Sequence, residues 1–452
     1  MSVISVLERS VNKTAELKFL YLVLFHILIG FLIYVFKPIA VVYALGSILY
    51  FVVRILVHSD KPIVVLEAAC YIAAGEVFFR MTDGVILYET GKYAVILVIL
   101  IGLYFHDFKE KVFVFIIYLL LLVPGIVVTY LSVTYDIDFR KTILFNISGP
   151  LSLFFSAAYC YKRETNLNTY LKLLDTLTLP IVAMVSYLFF YTPDLQNVVT
   201  GADANFAASG GYGPNQVSTV LGLGMFALVV RLFMPYKNLF LRYLMYAFLA
   251  FITYRALATL SRGGVFTAIV MCAFFITSYL NFSTEQAKSK HIFRLVFIGL
   301  MAVGVWFFSL TQTNNMVYNK YTNRNASGEK QGDFTTGRID IIESELEVFA
   351  EHPVFGIGAG MGKFYRYEQT GVIKASHNEI TRLLSEHGVF GLLSIFLLIG
   401  VPLTHYFSDT RNIFIIPFLA FWFLTISHSS MRIAAPGVFY GLALLSVNIR
   451  KK

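Results

Sequence analysis

One histidine, three or four arginines and a few carboxylates are the residues whose types and spacing suit them to chemistry. Ser376-His377-Asn378-Glu379 reads as a capping box, with Ser376 at the cap and Glu379 three residues on to reach back. His377 then sits in the first helical turn. The positive end of the helix dipole disfavours imidazolium there and leaves a neutral ring able to accept a proton. The free backbone N–H groups of the same turn form an anion site. His387 lies ten residues on, about 15 Å away along a continuous helix and too far to share a metal with His377. Asn378, Arg382 and Glu386 fall at i, i+4 and i+8, which reads as an ion-paired helix face for Arg382 and Glu386.

Thr259-Leu260-Ser261-Arg262-Gly263-Gly264 places an arginine at the end of an apolar run. Such an arginine commonly snorkels to the interface. Here a hydroxyl and two glycines allow a close backbone approach that suits a phosphate held at the membrane surface. Arg338 opens an amphipathic pattern, where a cation opposes the helix dipole and calls for an anionic partner. Glu76 and Arg80 are four apart and read as a structural pair, whereas Glu67 has no local partner and is a candidate intramembrane carboxylate. The glycines at 356, 358, 360 and 362 lack a preceding strand and a following Lys-Ser/Thr, so they read as a close-packed or flexible turn rather than a nucleotide loop. Asp136-Ile137-Asp138 reads as a charged turn before a metal site. Cys70, Cys160 and Cys272 have neither metal spacing nor an even count.

The elements that position these residues are set by composition. Of the 452 residues, 57% are hydrophobic and 14% charged, against roughly 25% charged in an ordinary soluble domain. Soluble enzymes, nucleic-acid binders and secreted disulfide scaffolds are excluded on that ground. Apolar runs of bilayer-spanning length predict helices at 19–36, 39–57, 63–79, 93–105, 112–131, 142–160, 177–192, 216–234, 239–256, 263–281, 293–311, 386–407, 413–428 and 434–448. The expectation is an all-α polytopic membrane protein of about 12–14 spans, with no removable signal peptide at its start. Its organisation is transmembrane helices over 1–311, a long loop over 312–385 and C-terminal helices over 386–452.

With the N-terminus cytoplasmic, the inner short loops collect twenty Lys and Arg residues and the outer ones eight, among them Arg262 and Arg432. This orients both termini to the cytoplasm and accounts for most of the net charge of +9. Two outer segments stand apart. Residues 193–215 carry no Lys or Arg and end in Gly213-Pro214-Asn215. Residues 312–385 are the one long hydrophilic stretch. They begin Asn-rich and continue as a helix from Arg338 to His352, with Ile339, Ile342, Leu346 and Phe349 at helical spacing. Thr335 or Thr336 can start that helix and Pro353 stops it, and a second helix opens at Ser376.

These motifs together resemble the O-antigen ligase and polymerase superfamily of bacterial membrane glycosyltransferases. His377-Asn378, nine residues, Gly388, two residues and Gly391 is similar to the ligase histidine pattern. Ser261-Arg262-Gly263 resembles the family's Ser-Arg-Gly element at a span end. Gly337-Arg338 and Pro353 with the FGIGAG run also match, and Gly213-Pro214-Asn215 resembles related exopolysaccharide polymerases. The resemblance covers roughly residues 210–400.

What the resemblance implies is an inverting, GT-C-like transferase of the bacterial inner membrane, working on the periplasmic face without nucleotide sugar, metal or cofactor. Its donor is an undecaprenyl-diphosphate-linked glycan. Its acceptor hydroxyl belongs to lipid A-core in a ligase, the favoured reading, or to another lipid-linked glycan in an O-antigen or exopolysaccharide polymerase. Arg262 and Arg338 carry over as diphosphate binders and His377 as the base, with Asn378, Asn215 and Ser261 as substrate-binding residues. Its partners are the lipid-linked donor, the acceptor and membrane lipids, not nucleic acid. The rival from another class is a lipid-linked oligosaccharide flippase or transporter, which would show internal repeats and midplane polar groups. A protein O-glycosylating transferase is a further option within the same fold.

Overall fold

A computed structural model describes residues 13–85, 87–107, 112–132, 138–192, 194–332, 338–371, 375–408 and 412–447. The first eleven helices are α1 (Lys13–Val35), α2 (Ile39–Val57), α3 (Pro62–Met81), α4 (Thr90–Phe105), α5 (Phe113–Ser132), α6 (Phe139–Cys160), α7 (Leu167–Tyr191), α8 (Pro214–Phe233), α9 (Leu239–Ala258), α10 (Arg262–Asn281) and α11 (Glu285–Gln312). The polar segment adds α12 (Met316–Tyr321), α13 (Arg338–Glu351) and α14 (Gly362–Thr370). The chain then returns through α15 (Glu379–Ser408), α16 (Ile415–Ser429) and α17 (Ala435–Ala443). Among the described residues, eleven of these helices are long and apolar enough to cross a membrane, and α4 and α16 are shorter apolar helices. The protein is an all-α multi-pass membrane protein.

The expected last span, 434–448, is helical only over nine residues. It then runs extended, and Ser446–Val447 pairs in parallel with Glu164–Thr165. Extended chain rises about 3.3 Å per residue against 1.5 Å in a helix, so a short segment can return from the level of Glu76 to that of Glu164. Gly437 and Gly441 let α17 lie against the α6 backbone at Leu153 and Ser156, the small-residue contact that substitutes for hydrophobic driving force between membrane helices.

α3 and α8 lie almost wholly inside the bundle, while α11 faces outward over nearly all its length. The small face of α8 sets the start of α10. A Cβ on Gly264 would strike the Ser218 carbonyl, and one on Gly263 would strike the His428 ring. The two glycines after Arg262 therefore admit protein neighbours, not the phosphate approach expected from the sequence.

α15 does not continue straight past His387. Gly388 adopts φ 59°, ψ −137° and breaks the helix. The break frees carbonyls and an amide that must find partners inside the protein, and the glycine run supplies them. Ile357 N–H donates to Ser385 O at 3.0 Å, Gly358 N–H to Glu386 O at 3.1 Å, and Val389 N–H to Pro353 O at 2.8 Å. Gly356, Gly358 and Gly360 all hold positive φ. The FGIGAG run is thus a close-packed turn that patches a kinked helix. The break lies just past His387, which is buried with its ring against Gly125.

α13 starts at Arg338, while Thr335, Thr336 and Gly337 lie outside the described residues. Its apolar stripe is split, with Ile339 and Leu346 exposed and Ile342 and Phe349 half-buried, and the fully buried positions are Glu345 and Val348.

Candidate active site

The sequence places Ser376 at the helix cap; the structure places Asn378 there. Asn378 Oδ1 accepts from Ile380 N–H at 2.9 Å and from Thr381 N–H at 3.5 Å, and α15 starts at Glu379. Glu379 does not reach back but pairs with Arg382. His377 is therefore one residue before the cap rather than in the first turn, and its amide oxygen neighbour Asn378 is committed to capping. Ser376 has a different task. Its hydroxyl donates to Glu345 Oε2 at 3.2 Å and accepts from Asn378 N–H at 3.2 Å. Its carbonyl accepts from Arg432 Nη2 at 2.8 Å.

Glu345 is the hub of this loop. Its carboxylate, buried on the inner face of α13, accepts from Arg366 Nη1 at 3.0 Å, from Thr381 Oγ1 at 2.6 Å and from Ser376. One carboxylate thereby ties together α13, α14 and the start of α15. Arg382 and Glu386 pair at 2.7 Å, as the i, i+4 spacing leads one to expect, and Arg382 also reaches Glu379 and Asn146.

His377 is half-buried, and its Nδ1 lies 3.1 Å from the Ala375 carbonyl. A carbonyl can only accept, so Nδ1 carries the proton and Nε2 presents a lone pair. Its pKa is pushed down to about 4, first by burial, then by the Arg432 and Arg338 guanidiniums. The sequence argument invoked the helix dipole for the neutral ring; the structure supplies burial and two cations.

The cations form a group. Arg338 lies below its ordinary pKa through burial and through Arg262 and Arg432. Lys320 is lowered by burial and by Arg262 and Arg338, against the opposing pull of Asp203 at 3.7 Å. Arg432 is lowered by burial, and of its neighbours Arg382 acts in the same direction. Arg262 Nη1 donates to the Lys320 carbonyl at 3.2 Å, which fixes α12 over the start of α10. Asn215 Oδ1 accepts from Ser261 Oγ at 2.8 Å and from Arg338 Nη2 at 3.4 Å, joining the starts of α8, α10 and α13. The predicted residues Asn215, Ser261, Arg262, Arg338, His377 and Asn378 thus fall at one end of the bundle. Asn215 accepts from both Ser261 and Arg338.

Two members went unnoticed in the sequence. Arg432 was counted only as a topology charge, although it shares with Arg262 the signal of an arginine among small residues at a span edge. Lys320 sits in the Asn-rich segment with no local mark. A layer beneath holds Arg432 in place. Glu76 pairs with Arg80 as expected, and its other oxygen accepts from Ala434 N–H at 2.5 Å. Arg80 Nη1 donates to the Arg432 carbonyl at 3.0 Å. Glu67, without a local partner in sequence, is ion-paired with the distant Arg54 at 2.7 Å and with Lys172, near the opposite end of the helices.

Asp138 caps α6 through Lys141 N–H at 3.1 Å, and Asp136 lies outside the described residues. Among the described residues no group of three or more His, Cys, Asp and Glu side chains is placed to hold a metal ion. The three cysteines are free.

Residues 246–396 match the model of a protein family described as O-antigen ligase. The matched segment is less than half of the chain and contains Arg262, Lys320, Arg338, Glu345, His377 and the Gly388 kink, but not Asn215 or Arg432. The match supports a membrane glycosyltransferase of the O-antigen ligase and polymerase type. No curated protein matches the chain.

Proposed function

We propose that this chain, through the segment matching the O-antigen ligase family, transfers a glycan from undecaprenyl diphosphate to an acceptor hydroxyl on the periplasmic face of the inner membrane. The acceptor in this reading is lipid A-core, which makes the protein a ligase. The observation that carries the proposal is the His377 ring, its Nδ1 on the Ala375 carbonyl, within the field of Arg432 and Arg338, which with Arg262 and Lys320 make one cationic cluster.

Diphosphate is a good leaving group once its charge is neutralised, and forked guanidiniums do that without a metal. His377 Nε2 takes the acceptor proton as its oxygen attacks the anomeric carbon. The bond from that carbon to the diphosphate oxygen breaks, and the lipid diphosphate leaves on the arginines. A single displacement of this kind inverts the anomeric centre. General-base assistance contributes about 10²–10⁴-fold. Donor binding also tunes the base: a diphosphate between Arg338 and Arg432 cancels the charge that depresses His377 and raises its basicity when an acceptor is present. Asn378 keeps its amide N–H₂ for a sugar oxygen, since its carbonyl oxygen is used in the cap.

The test uses purified protein, lipid-linked donor and acceptor, with donor binding measured separately. His377→Ala is expected to abolish transfer and leave donor binding intact. Near-normal turnover would remove the base assignment, and selective loss of donor binding would make His377 a diphosphate ligand. The glycan profile of a deletion strain separates the acceptors. Free lipid-linked long chains mean a ligase; single repeat units capping the core mean a polymerase.

A further inference from the structure

A second cavity, about 470 Å³ in volume, opens at the same end of the bundle beside the cation cluster. Its walls are aromatic and polar rather than aliphatic: Tyr88, Tyr187, Tyr191 and Tyr212, with Arg80 below and the Lys37–Asp83 ion pair at the rim. Tyr187 and Tyr191 stack with centroids 5.4 Å apart and planes at 25°. Tyr212 donates to Tyr88 at 3.2 Å, Arg80 Nη1 donates to Tyr212 at 3.3 Å, and Arg80 lies 4.1 Å over the Tyr88 ring. Tyrosines at a membrane boundary commonly form a belt that faces lipid headgroups. These four instead ring a hollow: Arg80 ties Tyr212 and Tyr88 into one wall, and the stacked Tyr187–Tyr191 pair forms another.

The backbone keeps the hollow open. Gly210 and Gly211 both hold positive φ, and a Cβ on Gly211 would sit 3.0 Å from the Tyr191 hydroxyl. Tyr212 is followed within three residues by Asn215, and Arg80 bonds the carbonyl of Arg432. The hollow and the cation cluster therefore share a wall.

We propose that this tyrosine cavity is a saccharide subsite that holds sugar rings of the glycan beyond the one being transferred. A pyranose has an apolar C–H face and a polar hydroxyl rim. Rigid phenol rings cover the first, while their hydroxyls, Arg80 and the Lys37–Asp83 pair address the second. A phosphate or a lipid tail would not need such a combination, because the first wants cations without aromatic walls and the second wants aliphatic ones. The proposal rests on the glycan-transfer reading above and adds the site at which glycan length is sensed.

Two probes test it: the glycan released by mild acid from the host's lipid-linked pool, and lipid-linked donors carrying one sugar or the full repeat unit. Saturation-transfer NMR on the wild-type protein is expected to mark ring protons of the free glycan. Tyr88→Ala/Tyr191→Ala, at positions 48% and 42% exposed and so tolerant of truncation, is expected to lose that transfer. The Phe pair, which keeps the ring faces, is expected to retain it. The ratio of kcat/KM between full-unit and single-sugar donors should fall at least about tenfold in the Ala pair, which loses two aromatic faces. Persistence of saturation transfer in the Ala pair, or an unchanged donor ratio, overturns the subsite while leaving the transferase reading intact. A wild-type protein that binds the free glycan through these tyrosines yet transfers no donor keeps the subsite and refutes the transferase reading.

Discussion

Glu345 gives the sharpest prediction, because it acts through Ser376 on the placement of the base rather than on the reactants. Its buried carboxylate holds Arg366, Thr381 and Ser376, and Ser376 carries His377 on its C-terminal side. Glu345→Ala removes the buried carboxylate shared by Arg366, Thr381 and Ser376. Breaking a buried ion pair costs about 3–5 kcal/mol, so the variant is expected to unfold at lower temperature in detergent. Glu345→Gln is the cleaner perturbation: it keeps the volume and one acceptor oxygen while removing the charge that Arg366 requires. Of the cluster, Arg262 and Lys320 are organised by α10 and α12, and Arg432 meets the Glu345 network through the Ser376 carbonyl. Donor affinity should therefore fall less than kcat. A displacement of the imidazole by about 1 Å is enough to cost roughly 10²-fold in rate, and the loss should appear in kcat. The assay is steady-state transfer with separate donor-binding isotherms on protein of matched folded fraction. If Glu345→Gln keeps wild-type kcat, or loses donor affinity with kcat unchanged, Glu345 does not position the base.

Arg262→Lys and Arg338→Lys keep charge but lose the planar fork, and each is expected to lower transfer strongly without altering membrane insertion; wild-type transfer in both would remove the diphosphate assignment. The pH profile of kcat/KM, which reports the free protein, should stay level down through pH 5 and fall as it approaches His377's value of about 4. The acid limb of kcat should lie higher, since bound diphosphate cancels the arginine field, and Arg432→Gln should raise the limb of kcat/KM. A wild-type kcat/KM limb at the ordinary histidine value would mean that the cations do not act on this ring. Single cysteines at Asn325 and Ser283, in a cysteine-free background, should differ in labelling by an impermeant reagent in intact cells. Labelling at Ser283 but not at Asn325 would invert the topology and separate the site from its substrate.

Helix existence was legible because a bilayer-length apolar run has few other solutions, and α13 was read nearly to its ends from period and proline. The failures have specific physical origins. The sequence pattern SHNE fits a capping box, but Asn378 competes for the cap and wins, because Ser376 is drawn to the distant carboxylate of Glu345. The apolar stripe of α13 was legible as a stripe; which way it faces depends on whether lipid or protein surrounds it. The kink at Gly388 was invisible because the residues that repair it lie more than thirty positions upstream, in the FGIGAG turn. Arg432 and Lys320 were missed for the same reason. Their significance is their distance from Arg262 and Arg338, and only the packing of α12 and of the α16–α17 turn creates that proximity.

The charge layout explains why an apolar protein tolerates several cations in one partly buried spot. At this end of the bundle Asp203 faces the cluster through Lys320, while the other ion-paired carboxylates are engaged by structural cations: Glu76 by Arg80, Glu89 by Lys92, Glu345 by Arg366, and Glu379 and Glu386 by Arg382. Those pairs fix the loops but lend little charge to the cluster, where Arg338 and Lys320 are held below their ordinary basicity by burial and by one another. Mutual repulsion in a low-dielectric site is a standing free-energy cost. It is relieved by an anion that arrives from outside, and the relief is largest for a group carrying two adjacent charges across the span of the guanidiniums. In the proposed reading the lipid diphosphate is that group. The relief of that repulsion then contributes binding energy for the donor, and the attraction increases as charge develops on the leaving oxygen. The same field keeps His377 neutral before the donor arrives, so the base is protected from protonation while waiting and strengthened when it is needed.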